Sequence, residues 1–147
     1  MSNDLATSDR IDAVQRFCAQ FPPAHMPVTH RFTPGMYSRE IFMPAGTLVV
    51  SKIHKTEHPF AVLSGVAVVW DARHGLQKLT AGTVGITHPG TRRLLYIRED
   101  CRWITFHATP LLDVDDIEAE IIEPHAVGPD GNAVDDEIMK LLKGETV

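Results

Sequence analysis

Eight histidines stand among the 147 residues of this chain, and imidazole is the side chain that both ligates metals and moves protons near neutral pH. Two of them, His54 and His58, lie in a β-rich stretch. Residues two apart in a strand point to one side. Lys52, His54 and, where the strand continues without a bulge, His58 therefore share a face. Val50 has their parity and Val49 the opposite one, so alternation alone does not say whether that face is core or solvent. Glu57 points away from His58 by the same rule. The string His54-x-x-Glu57-His58 looks like a zinc-peptidase helix read backwards, but the segment is β-rich and ends at Ser64-Gly65, which removes that reading. His88, ahead of Pro89-Gly90, falls in a turn; with Lys52 it is a candidate acid or base, against the plainer reading of a solvated turn residue. His25, His30, His74 and His125 follow no pattern.

The elements that must position these groups are short. Residues 8–20 read as an amphipathic helix, capped by Ser8, with Ile11, Val14, Phe17 and Cys18 on one face and Phe21-Pro22-Pro23 ending it. From about Thr29 to Thr109 the texture changes to β-rich runs at 37–43, 47–53, 60–63, 67–70, 77–79, 84–87, 92–97 and 102–107. Turn signals separate them, among them Pro44-Ala-Gly46, Ser64-Gly65, Pro89-Gly90 and Arg98-Glu-Asp100. No helical period interrupts the runs, which argues against a parallel βαβ arrangement. After Pro110 the chain turns acidic, with a helical turn or two expected at 116–122, a loop at 124–132 and a helix at 134–143 edged by Ile138, Leu141 and Leu142. The division expected is a helical flank at 1–28, a β-barrel at 29–109 and an acidic flank at 110–147 that packs on the barrel or on a partner.

Composition narrows the class. A mix of 44% hydrophobic and 22% charged residues suits one globular domain. The net charge of -5 argues against nucleic acid, which needs a basic face. No run approaches the roughly 20 apolar residues of a membrane span, and the polar, acidic N-terminus does not resemble a secretory signal. A cytoplasmic location is the default expectation, in keeping with two cysteines, Cys18 and Cys101, that form no metal-like pair and read as free thiols.

Two stretches of spacing carry a resemblance. Gly46-x5-Lys52-x-His54-x3-His58-x6-Gly65 is similar to the first cupin motif, G-x5-H-x-H-x3-E-x6-G. Gly82-x5-His88-x-Gly90-x2-Arg93-x3-Ile97 is similar to the second, G-x5-P-x-G-x2-H-x3-N. The resemblance covers about Arg39 to His107 and implies an all-β fold, the cupin-like antiparallel barrel or double-stranded β-helix. It also implies a four-ligand metal site, whose positions here hold Lys52, His54, His58 and Arg93. His54 is unchanged and His58 remains a competent ligand, whereas lysine and arginine are cationic and offer no lone pair at neutral pH.

A third ligand is sought in His107, on the last run, which is expected to pair with 92–97 as a hairpin. A three-residue loop would set His107 opposite Arg93; a two-residue loop would set Phe106 there and turn His107 out. The first is preferred because it leaves Phe106 outside, where a flank can cover it. The resulting expectation is a small-molecule enzyme of the cupin type. His54, His58 and His107 would hold one divalent ion (zinc, iron, nickel or copper), and Lys52 and Arg93 would orient a small anionic substrate. Those two cations could instead pair internally with Glu57, Glu40 or Asp71. Oxygenase and isomerase chemistry both stay open. The alternatives are a metal-independent epimerase or isomerase using histidine with lysine or arginine, and a non-catalytic ligand-binding or assembly module. A homodimer is the expected assembly.

Overall fold

The computed structural model describes residues 3–124 and 142–144, with side chains from Asp9 onward. In order, α1 (Asn3–Cys18) leads to β1 (Val28–Thr33), β2 (Met36–Met43), β3 (Leu48–Val50), β4 (Ile53–His54), β5 (His58–Asp71), β6 (Gly75–Thr80), β7 (Val84–Thr87) and β8 (Leu94–Ala108). Then come α2 (Val114–Ile121) and β9 (Ile122–Glu123).

β5 and β8 organise the barrel. They run 14 and 15 residues and pair antiparallel along most of their length. The other strands attach to their halves. At one end β2 pairs with residues 101–108 of β8, β1 pairs with β2, and β7 pairs with residues 58–61 of β5. At the other end β3 pairs with residues 94–96 of β8 and β6 with residues 66–71 of β5. All these pairings are antiparallel, and among the described residues no helix is long and apolar enough to cross a membrane.

This pairing corrects the sequence reading in two places. Ser64-Gly65 and Arg98-Glu-Asp100 do not separate strands; each lies inside one. The register of β5 against β8 slips between Val62 and Ala67. As a result Phe60 and Val62 before the slip, and Ala67 and Val69 after it, all enter one core cluster although their parities differ. A bulge does this by adding a residue that is left unpaired. Gly65 makes the slip possible: its φ is 84°, and a Cβ there would stand 2.1 Å from the Asp100 carbonyl oxygen. Local polarity and glycine look alike for a turn and a bulge; only the partner strand distinguishes them. The expected hairpin of 92–97 with 102–107 is consequently absent, because residues 94–97 and 102–107 belong to one strand, β8. A further strand, β1, had no sequence signal, since five of its six residues are exposed.

The flanks cover the barrel. α1 starts five residues before Ser8, so Ser8 is not its cap, and it ends at Cys18 rather than Gln20. No proline or glycine lies between Asn3 and Ser8 to stop it earlier. Its apolar face holds in part: Ile11 and Val14, with Cys18 at the edge, pack with Val68, Leu94 and Leu142 on the outer side of β5 and β8, whereas Phe17 meets Phe21 edge-on. α2 begins two residues before the expected 116, with the Asp113 side chain accepting from the Asp116 backbone N–H at 3.1 Å. It lays Ile117 and Ile121 on Tyr37. Of the helix expected at 134–143, residues 134–141 lie outside the described residues; Leu142 and Lys143 are helical.

Candidate functional site

His54, His58 and His107 reach one cavity of about 270 Å³ from three different elements. On β5 and β8, Phe60 pairs with Thr105; continuing that register two residues sets His58 beside His107. Their ring centres are 4.3 Å apart. His107 also faces Tyr37 across β2, with ring centres at 5.8 Å. His107 thus points into the barrel, though by pairing with β2 and β5 and not through the hairpin expected from sequence. His54 arrives separately. The chain bends at Lys55 and Thr56, so β4 and β5 are not one strand. His54 pairs with Ile122 of β9, and its carbonyl accepts from the Gly90 N–H at 2.8 Å. The acidic flank therefore builds part of the site. The His54 ring centre lies 4.6 Å from His58 and 6.3 Å from His107.

These imidazoles are held neutral. Burial, then the neighbouring His58, His107 and two arginines, push His54 down to about 3. Burial and His58 bring His107 down to about 4. His58 is lowered by burial, partly offset by its bond to the Thr56 carbonyl. A carbonyl can only accept, so the 3.0 Å contact places the His58 proton on Nδ1 and leaves the Nε2 lone pair free. His58 Nε2, His54 Nδ1 and His107 Nδ1 are all buried with no hydrogen-bond partner among the described residues. Buried polar atoms are ordinarily paired, so three together are an unmet demand at one place.

The donor chemistry suits a divalent ion such as zinc: neutral imidazoles, close together, with the His58 Nε2 lone pair free. Yet among the described residues no three His, Cys, Asp or Glu side chains already form a group that could hold an ion. The rings are neighbours without making a finished cage.

The cations divide differently from the sequence reading. Lys52 borders the cavity from its rim. It stands at the mouth, 60% exposed, paired with Glu118 of α2 at 3.2 Å, a partner absent from the expected set. Arg93 is buried in the cavity wall. Its Nη1 donates to Thr87 Oγ1 at 3.0 Å, its Nε lies 4.0 Å from Asp71, and its guanidinium covers the Phe60 and Trp103 rings at 4.9 and 5.7 Å. His88 does not line the histidine cavity. It borders a second cleft of about 530 Å³, between α1 and the barrel, with Asp71 and Arg92. Arg39 was missed in the sequence. On β2 it shares parity with Tyr37, Ile41 and Met43, and all four line the histidine cavity. A single cation on an otherwise apolar strand face was the available signal.

No protein-family model and no curated protein matches the sequence. Solved structures do match in shape. KdgF from Halomonas sp. superposes with a TM-score of 0.52 at 16% identity, covering 67% of this chain and 90% of that one. An uncharacterized conserved protein with a double-stranded β-helix domain from Klebsiella pneumoniae gives 0.50 at 17%, covering 63% and 81%. The fold is the double-stranded β-helix of the cupins. In this cupin barrel the four motif glycines, Gly46, Gly65, Gly82 and Gly90, all have positive φ. The motif positions all border the lumen, but not alike: His54, His58 and Arg93 line its interior, Lys52 stands at its rim paired with Glu118, and His107 joins from outside both motifs.

Proposed function

We propose that this cupin-domain protein is a small-molecule enzyme whose lumen binds one divalent metal ion through His54, His58 and His107 and receives an anionic substrate beside it. One observation carries the reading: three buried imidazole nitrogens without partners among the described residues, delivered to one cavity by β4, β5 and β8. When bound, such an ion supplies a Lewis acid with open positions. The protein's residues then have separable tasks. The Thr56 carbonyl orients the His58 ring, the Thr105 hydroxyl bonds His107 Nε2 at 2.9 Å, and Ile122 pairing fixes the His54 backbone. Arg93, fixed by Thr87 and Asp71, contributes positive charge to the wall and not a ligand atom.

A second reading is favoured by the unfinished cage and by the guanidinium beside the rings. In it the pocket works without metal, a neutral histidine acting as base toward a substrate whose developing negative charge faces Arg93. Metal analysis of protein purified without an affinity tag separates the two. Stoichiometric metal that disappears in His58→Ala supports the first; metal-free protein, or metal retained in all three alanine variants, overturns it in favour of the second.

A further inference from the structure

We infer that Arg39 is the anchor for a small organic carboxylate with an apolar body, bound in the histidine cavity. The inference rests on the same lumen as the function proposed above, but not on the ion. The three cations that line this cavity are Lys52, Arg93 and Arg39. Lys52 is paired with Glu118. Arg93 is occupied by Thr87, Asp71 and two aromatic faces. Arg39, half-buried at the middle of β2, has no hydrogen bond or ion pair to any described residue. A guanidinium taken partly out of water without an acceptor is costly, and a carboxylate is the acceptor that matches its planar fork.

The surroundings define the rest of the ligand. Met26, Ile41, Met43, Val49 and Trp103 wall the cavity, which calls for an apolar body more than for a hydroxyl-rich one. The volume of about 270 Å³ lies just below the lower end of ordinary ligand pockets, about 300 Å³, so the molecule is small. Thr105, opposite Arg39 in the register of β2 and β8, lines the same wall with its hydroxyl on His107. A carboxylate on Arg39 therefore lies within the space the three imidazoles border. Arg39 also acts on those imidazoles through space, helping to keep His54 and His107 neutral.

The test uses benzoate as probe, its neutral isostere benzamide, and inorganic phosphate, on the full chain stripped of metal with EDTA. Benzoate should raise the melting temperature and give a saturable titration; benzamide at equal concentration and phosphate should not. Arg39→Gln should weaken benzoate at least about tenfold, the loss expected for a hydrogen-bonded charge, and Arg39→Lys should recover part of it. Arg31→Gln, which alters an exposed arginine paired with Glu40, should bind as wild type does. No response to benzoate, an equal response to benzamide or phosphate, or unchanged benzoate affinity in Arg39→Gln overturns the inference. Should Arg39→Gln not fold, the wild-type probe comparison and Arg39→Lys still decide. Benzoate binding through Arg39 in a protein that never takes metal would sink the metal reading alone; metal uptake without benzoate binding would sink this one alone.

Discussion

The ring of His107 lies 4.3 Å from that of His58, although the two residues sit on the first position of β5 and near the last of β8. They meet because β5 and β8 run antiparallel past each other and the Phe60–Thr105 pairing extends toward the barrel mouth. Long-range strand pairing, and not a local turn, creates the shortest ring-to-ring approach in the site.

His107→Ala is expected to remove bound metal while leaving the barrel folded, and His88→Ala to leave metal content unchanged. With one of three donors gone, too few remain to hold a divalent ion against water. His88 borders the other cleft and touches none of this. Metal content by mass spectrometry on tag-free protein checks both. A His88→Ala loss equal to that of His107→Ala would show that the cavity has been assigned to the wrong residues.

The bulge in β5 makes a stability prediction. In Gly65→Ala a new Cβ would sit 2.1 Å from the Asp100 oxygen, on a backbone with φ of 84°, so β8 itself must move. Strain and overpacking together should cost roughly 3 kcal/mol or more. Gly46→Ala has a similar φ of 86° and nothing within 4 Å, and should cost only about 1–2 kcal/mol. Urea denaturation midpoints compare the two; equal losses would mean the close approach to β8 does not matter.

The fold was legible in the sequence through the spacing of Gly46, Gly65, Gly82 and Gly90, because each marks a backbone conformation that other residues resist. Their roles were less legible. Gly65 reads locally as a turn, yet the structure uses it to slide one strand past another. His58 was identified by its motif position and His107 by its residue type, but the contact between them depends on register over the whole of β5 and β8. His54 depends on β9, a two-residue strand in the acidic flank that no local pattern announces. Arg39 was readable by parity alone; its significance required knowing which other cations had found partners.

Lys52→Ala should be nearly silent. The Lys52–Glu118 pair is exposed, at 60% and 41% of the side chains, and exposed pairs contribute up to about 1 kcal/mol. A thermal melt should shift by no more than a few degrees, and metal content and benzoate affinity should be unchanged. A large loss of either would mean that Lys52 acts on the bound ion or ligand from the cavity rim.

The neutral histidines also set the acid stability of the metal-free protein. His54 falls from an ordinary 6.5 to about 3, His107 to about 4, and His58 is lowered as well. The unfolded chain therefore takes up protons on these rings below pH 6.5, while in the folded chain His107 resists until about 4 and His54 until about 3. Since stability rises with pH wherever the unfolded state binds more protons, their contribution is fully present above pH 6.5 and is lost progressively as pH drops toward about 3. Carboxylates elsewhere in the chain act in the lower part of that window, so the informative quantity is a difference. Urea unfolding of EDTA-treated wild type and His54→Leu, at several values between pH 7.5 and 4, should show a shallower decline in the variant, which has one fewer ring to protonate on unfolding. Identical slopes would mean that His54 titrates alike in the folded and unfolded chains, which burial beside His58 and His107 does not allow.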